Sequence, residues 1–250
     1  MKKIAVFVEG NTELIFVREL LLRMYDYQNV LLERCLLRSD NLQEPLHVHG
    51  TKDEPNYYLI IDVGGDGSVL SAIVKREKDL FEKKGYSKII GLRDMFGEMY
   101  CRKNNDKKTI NWDVINHFKE KTKEQIDKIG NDKIHFFFAI METEAWLLGI
   151  KDIFLNIGLT NDFIKNSHLK YDLDKNDPEK TYYHPAKVIG EIFKLAEREY
   201  GKNEKSLYSL IPHDFPKEKY EELKSSGHCS VFAEFAEVLL GEQCIKCEQV

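Results

Sequence analysis

The stretch Ile4-Ala-Val-Phe-Val-Glu-Gly-Asn-Thr-Glu13 constrains this chain more than any other. Its first half is a short run of apolar, β-branched and aromatic residues, the signature of a buried strand. The run stops at an acid followed by glycine. Leu14, Val17, Leu21 and Met24 then recur at helical spacing, with Asn11 or Thr12 as the expected N-cap. Glu9 thus ends a strand, and Glu13 falls in the first turn of a helix, where an acid complements the helix dipole. A carboxylate that ends a buried strand needs a partner or a metal. In open α/β sheets, chemistry collects at the carboxyl ends of the strands, so the acids that follow later strands carry the argument.

The strand-to-helix pattern recurs. Tyr57-Tyr-Leu-Ile-Ile-Asp-Val63 reads as a second buried strand, running into Gly64-Gly-Asp-Gly67. Ser68 can cap the helix that follows, with Leu70, Ile73, Val74 and Phe81 inward. The glycine loop suits phosphate at a helix N-terminus or any tight turn, and it matches neither a Walker A nor a Rossmann fingerprint. Lys88-Ile-Ile-Gly-Leu92 is a third strand, ending in Arg93-Asp94-Met-Phe-Gly-Glu98. Lys133-Ile-His-Phe-Phe-Phe-Ala-Ile140 is a fourth, running into Met141-Glu-Thr-Glu-Ala145. Glu142 and Glu144 share a face only if this segment is extended. If a helix has begun there, they point apart and at most one joins a common site.

Residues 30–37 form a further strand candidate, His47-Val48-His49 alternates like an edge strand, and 112–129 has helical periodicity. Alternation of strand and helix to about residue 150 predicts an α/β fold, a mostly parallel sheet with helices on both faces. Beyond that point the pattern is helical, at 185–200, 216–225 and 231–240. The expected organisation is a domain at 1–150 and an all-helical C-terminal extension at 151–250 packed on it.

The 250 residues are 42% hydrophobic and 32% charged, with a net charge of −5, which excludes a generally basic nucleic-acid-coating protein. No signal peptide and no membrane-length apolar run is present, so the sequence predicts a cytoplasmic protein with no membrane partner. The five cysteines are odd in number and scattered, which predicts reduced thiols. Cys244-Ile-Lys-Cys247, with His228 and Cys229, offers four zinc ligands, but no second C-x-x-C supports them.

Three strands therefore deliver acids to one edge: Glu9 with Glu13, Asp94 with Glu98, and Glu142 or Glu144. Such a cluster needs cations, and hard oxygen ligands select Mg²⁺ or Mn²⁺. Bound metals can clamp a phosphodiester and activate water. The pattern resembles the Toprim (topoisomerase–primase) domain in Val8-Glu-Gly-Asn-Thr-Glu13, in Asp94, and in Glu142-Thr-Glu-Ala-Trp146. It is similar to Toprim-like nucleases of the OLD (overcoming lysogenization defect) type and to bacterial Toprim-like proteins encoded beside an SMC/RecF-like ATPase. The resemblance covers roughly residues 1–150, with fainter echoes at His184-Pro-Ala-Lys187 and Gly227-His-Cys-Ser-Val-Phe232.

The resemblance implies a Toprim/Rossmann-like fold and metal-dependent cleavage of DNA or RNA, often in phage defence, with a partner ATPase; a homo-oligomer is compatible with it. Glu9 is implied as ligand or general base, Asp94 as principal metal ligand, and Glu13, Glu98, Glu142 and Glu144 as secondary ligands. Toprim proteins usually carry Asp-x-Asp after the third strand, and here Phe96 holds the second position. Either Glu98 replaces it or a metal site is lost. Lys187 is the candidate for the lysine of OLD-type enzymes, although its place on a helix also suits an exposed side chain. The alternative to a nuclease is a catalytically silent Toprim module that docks on an ATPase or binds nucleotide.

Overall fold

The computed structural model describes residues 1–65 and 68–241. In chain order its main elements are β1 (Lys2–Val8), α1 (Asn11–Met24), β2 (Val30–Arg38), β3 (Asn41–Leu42), β4 (His47–His49), β5 (Asn56–Asp62), α2 (Ser68–Lys78), β6 (Lys88–Asp94), α3 (Glu98–Lys103), α4 (Trp112–Ile129), β7 (Ile134–Ala139), α5 (Glu144–Gly149), α6 (Asn161–Asn166), α7 (Pro178–Thr181), α8 (Pro185–Leu195), α9 (Glu204–Leu210), α10 (Glu218–Ser225) and α11 (Ser230–Leu240). The fold is α/β, with a mostly parallel sheet and a helical C-terminal part. No strand follows β7 among the described residues. The chain divides into two compact units. The first is Met1–Arg93, Trp112–Phe138 and the described residues from Val238 onward; the second is Asp94–Asn111 with Ala139–Glu237. The second unit therefore draws on residues before 150 as well as after it.

In the first unit the sheet order is β3-β2-β5-β1-β6-β7, with β4 beside β2. β1 runs parallel to β5 (Val8↔Asp62) and to β6 (Val8↔Leu92), and β2 runs parallel to β5. Only the short β3 and β4 are shown antiparallel, both against β2. Period-2 alternation sends Ala5, Phe7, Leu59 and Ile61 to one face, where they bury Val69, Ala72 and Ile73 of α2, with Ile126 and Ile129 of α4 packed alongside. The opposite face receives Tyr58, whose ring meets that of Tyr25, the residue capping α1. Helices thus cover both faces.

Two expectations shift in phase. The inward stripe of α2 is Val69, Ala72 and Ile73, and Val74 is 47% exposed. The N-cap of α1 is Gly10, not Asn11 or Thr12. Glu13 reaches back to accept the Gly10 N–H at 3.0 Å, half of a capping box that glycine, lacking a side chain, cannot complete. α1 is buried along nearly its whole circumference, Arg18, Glu19 and Arg23 included. Glu19 pairs with both arginines, which compensates the cost of taking these charges out of water.

The second unit is built around Trp146. Fully buried on α5, it lies 5.3 Å from the Phe235 ring and 5.5 Å from that of Phe232, both on α11. Its Nε1 donates to buried Glu179 at 2.8 Å. Burial pushes the Glu179 carboxyl up, and the donors Val231 N–H and Trp146 partly offset that. Gly149 ends α5 where a Cβ would stand 2.8 Å from both Cys229 Sγ and Leu223 Cδ1, so a larger residue would have to displace those side chains.

Candidate functional site

The acids before and after the start of α5 meet on one cation. Asp94, the last residue of β6, is 5% exposed and accepts from the Thr143 N–H (2.8 Å) and hydroxyl (2.9 Å) through Oδ1. Its Oδ2 lies 4.0 Å from Lys202 Nζ. Glu142 Oε2 accepts from the Ala186 N–H at 3.0 Å, in the first turn of α8, where the helix dipole favours an anion. Its Oε1 is 3.0 Å from Lys202 Nζ. Glu144, fully buried, accepts from the Tyr200 hydroxyl at 3.0 Å through Oε1, and its Oε2 is 3.4 Å from the same ammonium. In each carboxylate a protein donor holds one oxygen and the other is turned toward Lys202.

Burial acts to lower the Lys202 pKa. Glu144, Asp94 and Glu142 overcome this and hold it well above the ordinary lysine value. The lysine side chain is nevertheless 45% exposed, while the three carboxylates are 0–7% exposed. The ammonium is therefore the solvent-facing part of an otherwise buried cluster. Three carboxylates thus face one ammonium. His184 adds a potential cation, its Nδ1 being 3.5 Å from Glu142 Oε2.

Local backbone explains how both Glu142 and Glu144 reach this point. Met141, fully buried, adopts a left-handed φ of 64° between β7 and α5. The chain then turns tightly, with the Glu142 N–H bonded to Ile140 O and the Ala145 N–H to Glu142 O. Thr143 is already helical in φ and ψ. The expectation that only an extended segment unites the two acids is overturned. They approach the long lysine from either side of Thr143, which itself holds Asp94.

The other acids singled out in the sequence have different surroundings. Glu9, in the first unit, stands 3.7 Å from Arg93 Nε, and the Arg93 guanidinium lies over the Phe138 ring. Glu13 is engaged by Gly10. Glu98 is 75% exposed on α3 and pairs with Arg102 one turn on. At position 96 the Phe96 ring packs on His184 (4.1 Å) and against Tyr183 (5.5 Å). Lys187 is 72% exposed, 3.8 Å from Glu191; the lysine at the cluster is Lys202, which sequence reasoning missed. The signal available was the surplus of buried acids, which required a cation from elsewhere. Among the described residues, no group of three or more His, Cys, Asp or Glu side chains is arranged to hold a metal ion. Asp66 and Gly67 of the glycine loop, and Cys244 and Cys247 of the zinc reading, lie outside the described residues.

The molecule is thus an α/β protein with a lysine-centred carboxylate cluster at the end of a sheet strand. The profile of DUF4276, a domain of unknown function, matches residues 8–209, most of the chain, and the protein belongs to that family. No curated protein and no solved structure matches it. No helix among the described residues is long and apolar enough to cross a membrane.

Proposed function

We propose that this protein is a divalent-metal-dependent phosphodiesterase acting on nucleic acid, in keeping with its resemblance to Toprim nucleases. The observation that carries the reading is the convergence of Asp94, Glu142 and Glu144 on Lys202, each with one oxygen pinned and the other turned inward. The donors are hard oxygens of the kind Mg²⁺ and Mn²⁺ select, and the ion would enter by displacing the Lys202 ammonium on which they converge. Those three carboxylates would hold the ion, which when bound supplies charge for a phosphodiester and an activated water. Thr143, Ala186 and Tyr200 orient the carboxylates. Lys202, protonated at Nζ and half in solvent, can donate to a phosphate oxygen. Phage defence with a partner ATPase is the biological setting this reading implies.

A silent docking module is the second reading. It is favoured by Phe96 at the usual position of the second Asp and by an ammonium already at the focus of the acids. Cleavage of end-labelled DNA and RNA with Mn²⁺ or Mg²⁺ separates the two. On the nuclease reading, Asp94→Asn and Glu144→Gln each lower cleavage roughly a hundredfold or more while the metal-free fold stays as stable or gains, because each removes a repelling charge. Metal at a hundred times its Kd should stabilise the wild type by about 2.7 kcal/mol. A wild type that neither cuts nor gains stability from metal would establish the silent module.

A further inference from the structure

Next to the carboxylate cluster, within the second unit, the segment between α8 and α9 walls a cleft of about 560 Å³. Its lining includes Arg198 and Lys205, both exposed, against one acid, Glu199. Neither Arg198 nor Lys205 forms an ion pair among the described residues. The charged residues of the lining leave one net positive charge, which suits an anion. The back wall is aromatic: Phe193 and Tyr200 stand edge to face, centroids 5.3 Å apart. Tyr200 also ties the cleft to the acids, since its hydroxyl donates to Glu144, and Lys202 follows two residues later.

We infer that this cleft seats one nucleotide unit of the strand being cut, an assignment that rests on the phosphodiesterase reading. Arg198 and Lys205 take the phosphate, with Arg198 able to bind two oxygens at once. The base lies against the Tyr200 ring, a contact that tolerates any sequence. The volume accommodates a base, sugar and phosphate together. With Tyr200 shared by cleft and cluster, the next phosphodiester along the strand is directed toward Lys202.

The test is binding of a fluorescent ten-nucleotide oligo(dT) in EDTA, so that no cleavage intervenes. Arg198→Ala and Lys205→Ala should each weaken binding about tenfold and reduce the salt slope of the affinity by about one, with melting temperatures unchanged. Asp94→Asn should bind at least as well as wild type while cutting far less. Where cleavage is measured, the two cleft variants should raise KM more than they lower kcat. Wild-type affinity and salt slope in both cleft variants would overturn the assignment. So would dAMP that binds the cleft yet is not displaced by the oligonucleotide, since the site would then serve a free nucleotide. A wild type that fails to cut while the variants still lose strand binding would remove the phosphodiesterase reading and leave the cleft as a strand-binding site.

Discussion

The acids of the two units are neutralised in different ways. In the first, Glu13 has the Gly10 N–H of its own helix start and Glu9 has Arg93 nearby. In the second, Asp94, Glu142 and Glu144 all face Lys202, and Glu142 also has His184 3.5 Å away. Separate partners give each carboxylate its own structural contact, whereas a shared ammonium ties three carboxylates to the fate of one side chain. The difference teaches that a strand-end acid is informative only once its counter-charges are counted.

The largest expected effect comes from breaking the sharing. Lys202→Met leaves three buried carboxylates facing one another, and the metal-free protein should lose about 1–2 kcal/mol, a figure discounted because the lysine is partly in solvent. If the ammonium competes with metal for the same oxygens, stabilisation by Mn²⁺ should be greater in Lys202→Met than in wild type, as thermal melts with and without the ion would reveal. The pH dependence follows from the same contact. The Lys202 pKa is raised above the ordinary 10.5 in the folded protein, so its contribution is complete below that pH and is lost as pH climbs beyond it. Denaturant melts from about pH 9 upward, where an ordinary lysine begins to titrate, should show that extra alkaline loss in wild type and not in Lys202→Met.

A smaller effect tests local pairing. Glu13→Ala removes the acceptor of the Gly10 N–H and should cost about 1 kcal/mol, while Glu13→Gln, which keeps an acceptor at the same helix position, should cost less than half of that. Equal losses in urea titrations would show that the charge of Glu13, rather than its hydrogen bond, matters, and would move it out of the local class. The smallest effect is at Glu98. With its carboxylate 75% exposed and paired with Arg102 on its own helix, Glu98→Gln should change stability by no more than about 0.5 kcal/mol and leave Mn²⁺ stabilisation as in wild type. A lost metal response would return Glu98 to the site.

The sheet was legible because strand signals are local: apolar β-branched runs at 4–8, 57–63 and 88–92 became β1, β5 and β6. α4 begins and ends where its periodicity does, at Trp112 and Ile129. The acids Asp94, Glu142 and Glu144 were visible as strand-end residues. Their counter-ion was not, because no local pattern distinguishes Lys202 from other surface lysines. The periodicity also carried α8 through to residue 200. The helix instead stops at Leu195, and Glu197 turns left-handed at φ 54°. That early stop frees the segment holding Tyr200 and Lys202, a tertiary requirement that Lys194-Leu-Ala-Glu-Arg-Glu-Tyr200 does not announce in its composition.

The second unit takes its residues from two separated parts of the chain, Asp94–Asn111 and Ala139–Glu237. The consequence is genetic. A gene cut near codon 150 would encode every acid of the cluster and none of Ala186, Tyr200 and Lys202, which hold or neutralise it. Recombination could not transplant the acids as a cassette without also carrying a lysine encoded about sixty codons downstream. A substitution at Lys202 would leave three carboxylates encoded at distant codons facing one another without their shared ammonium.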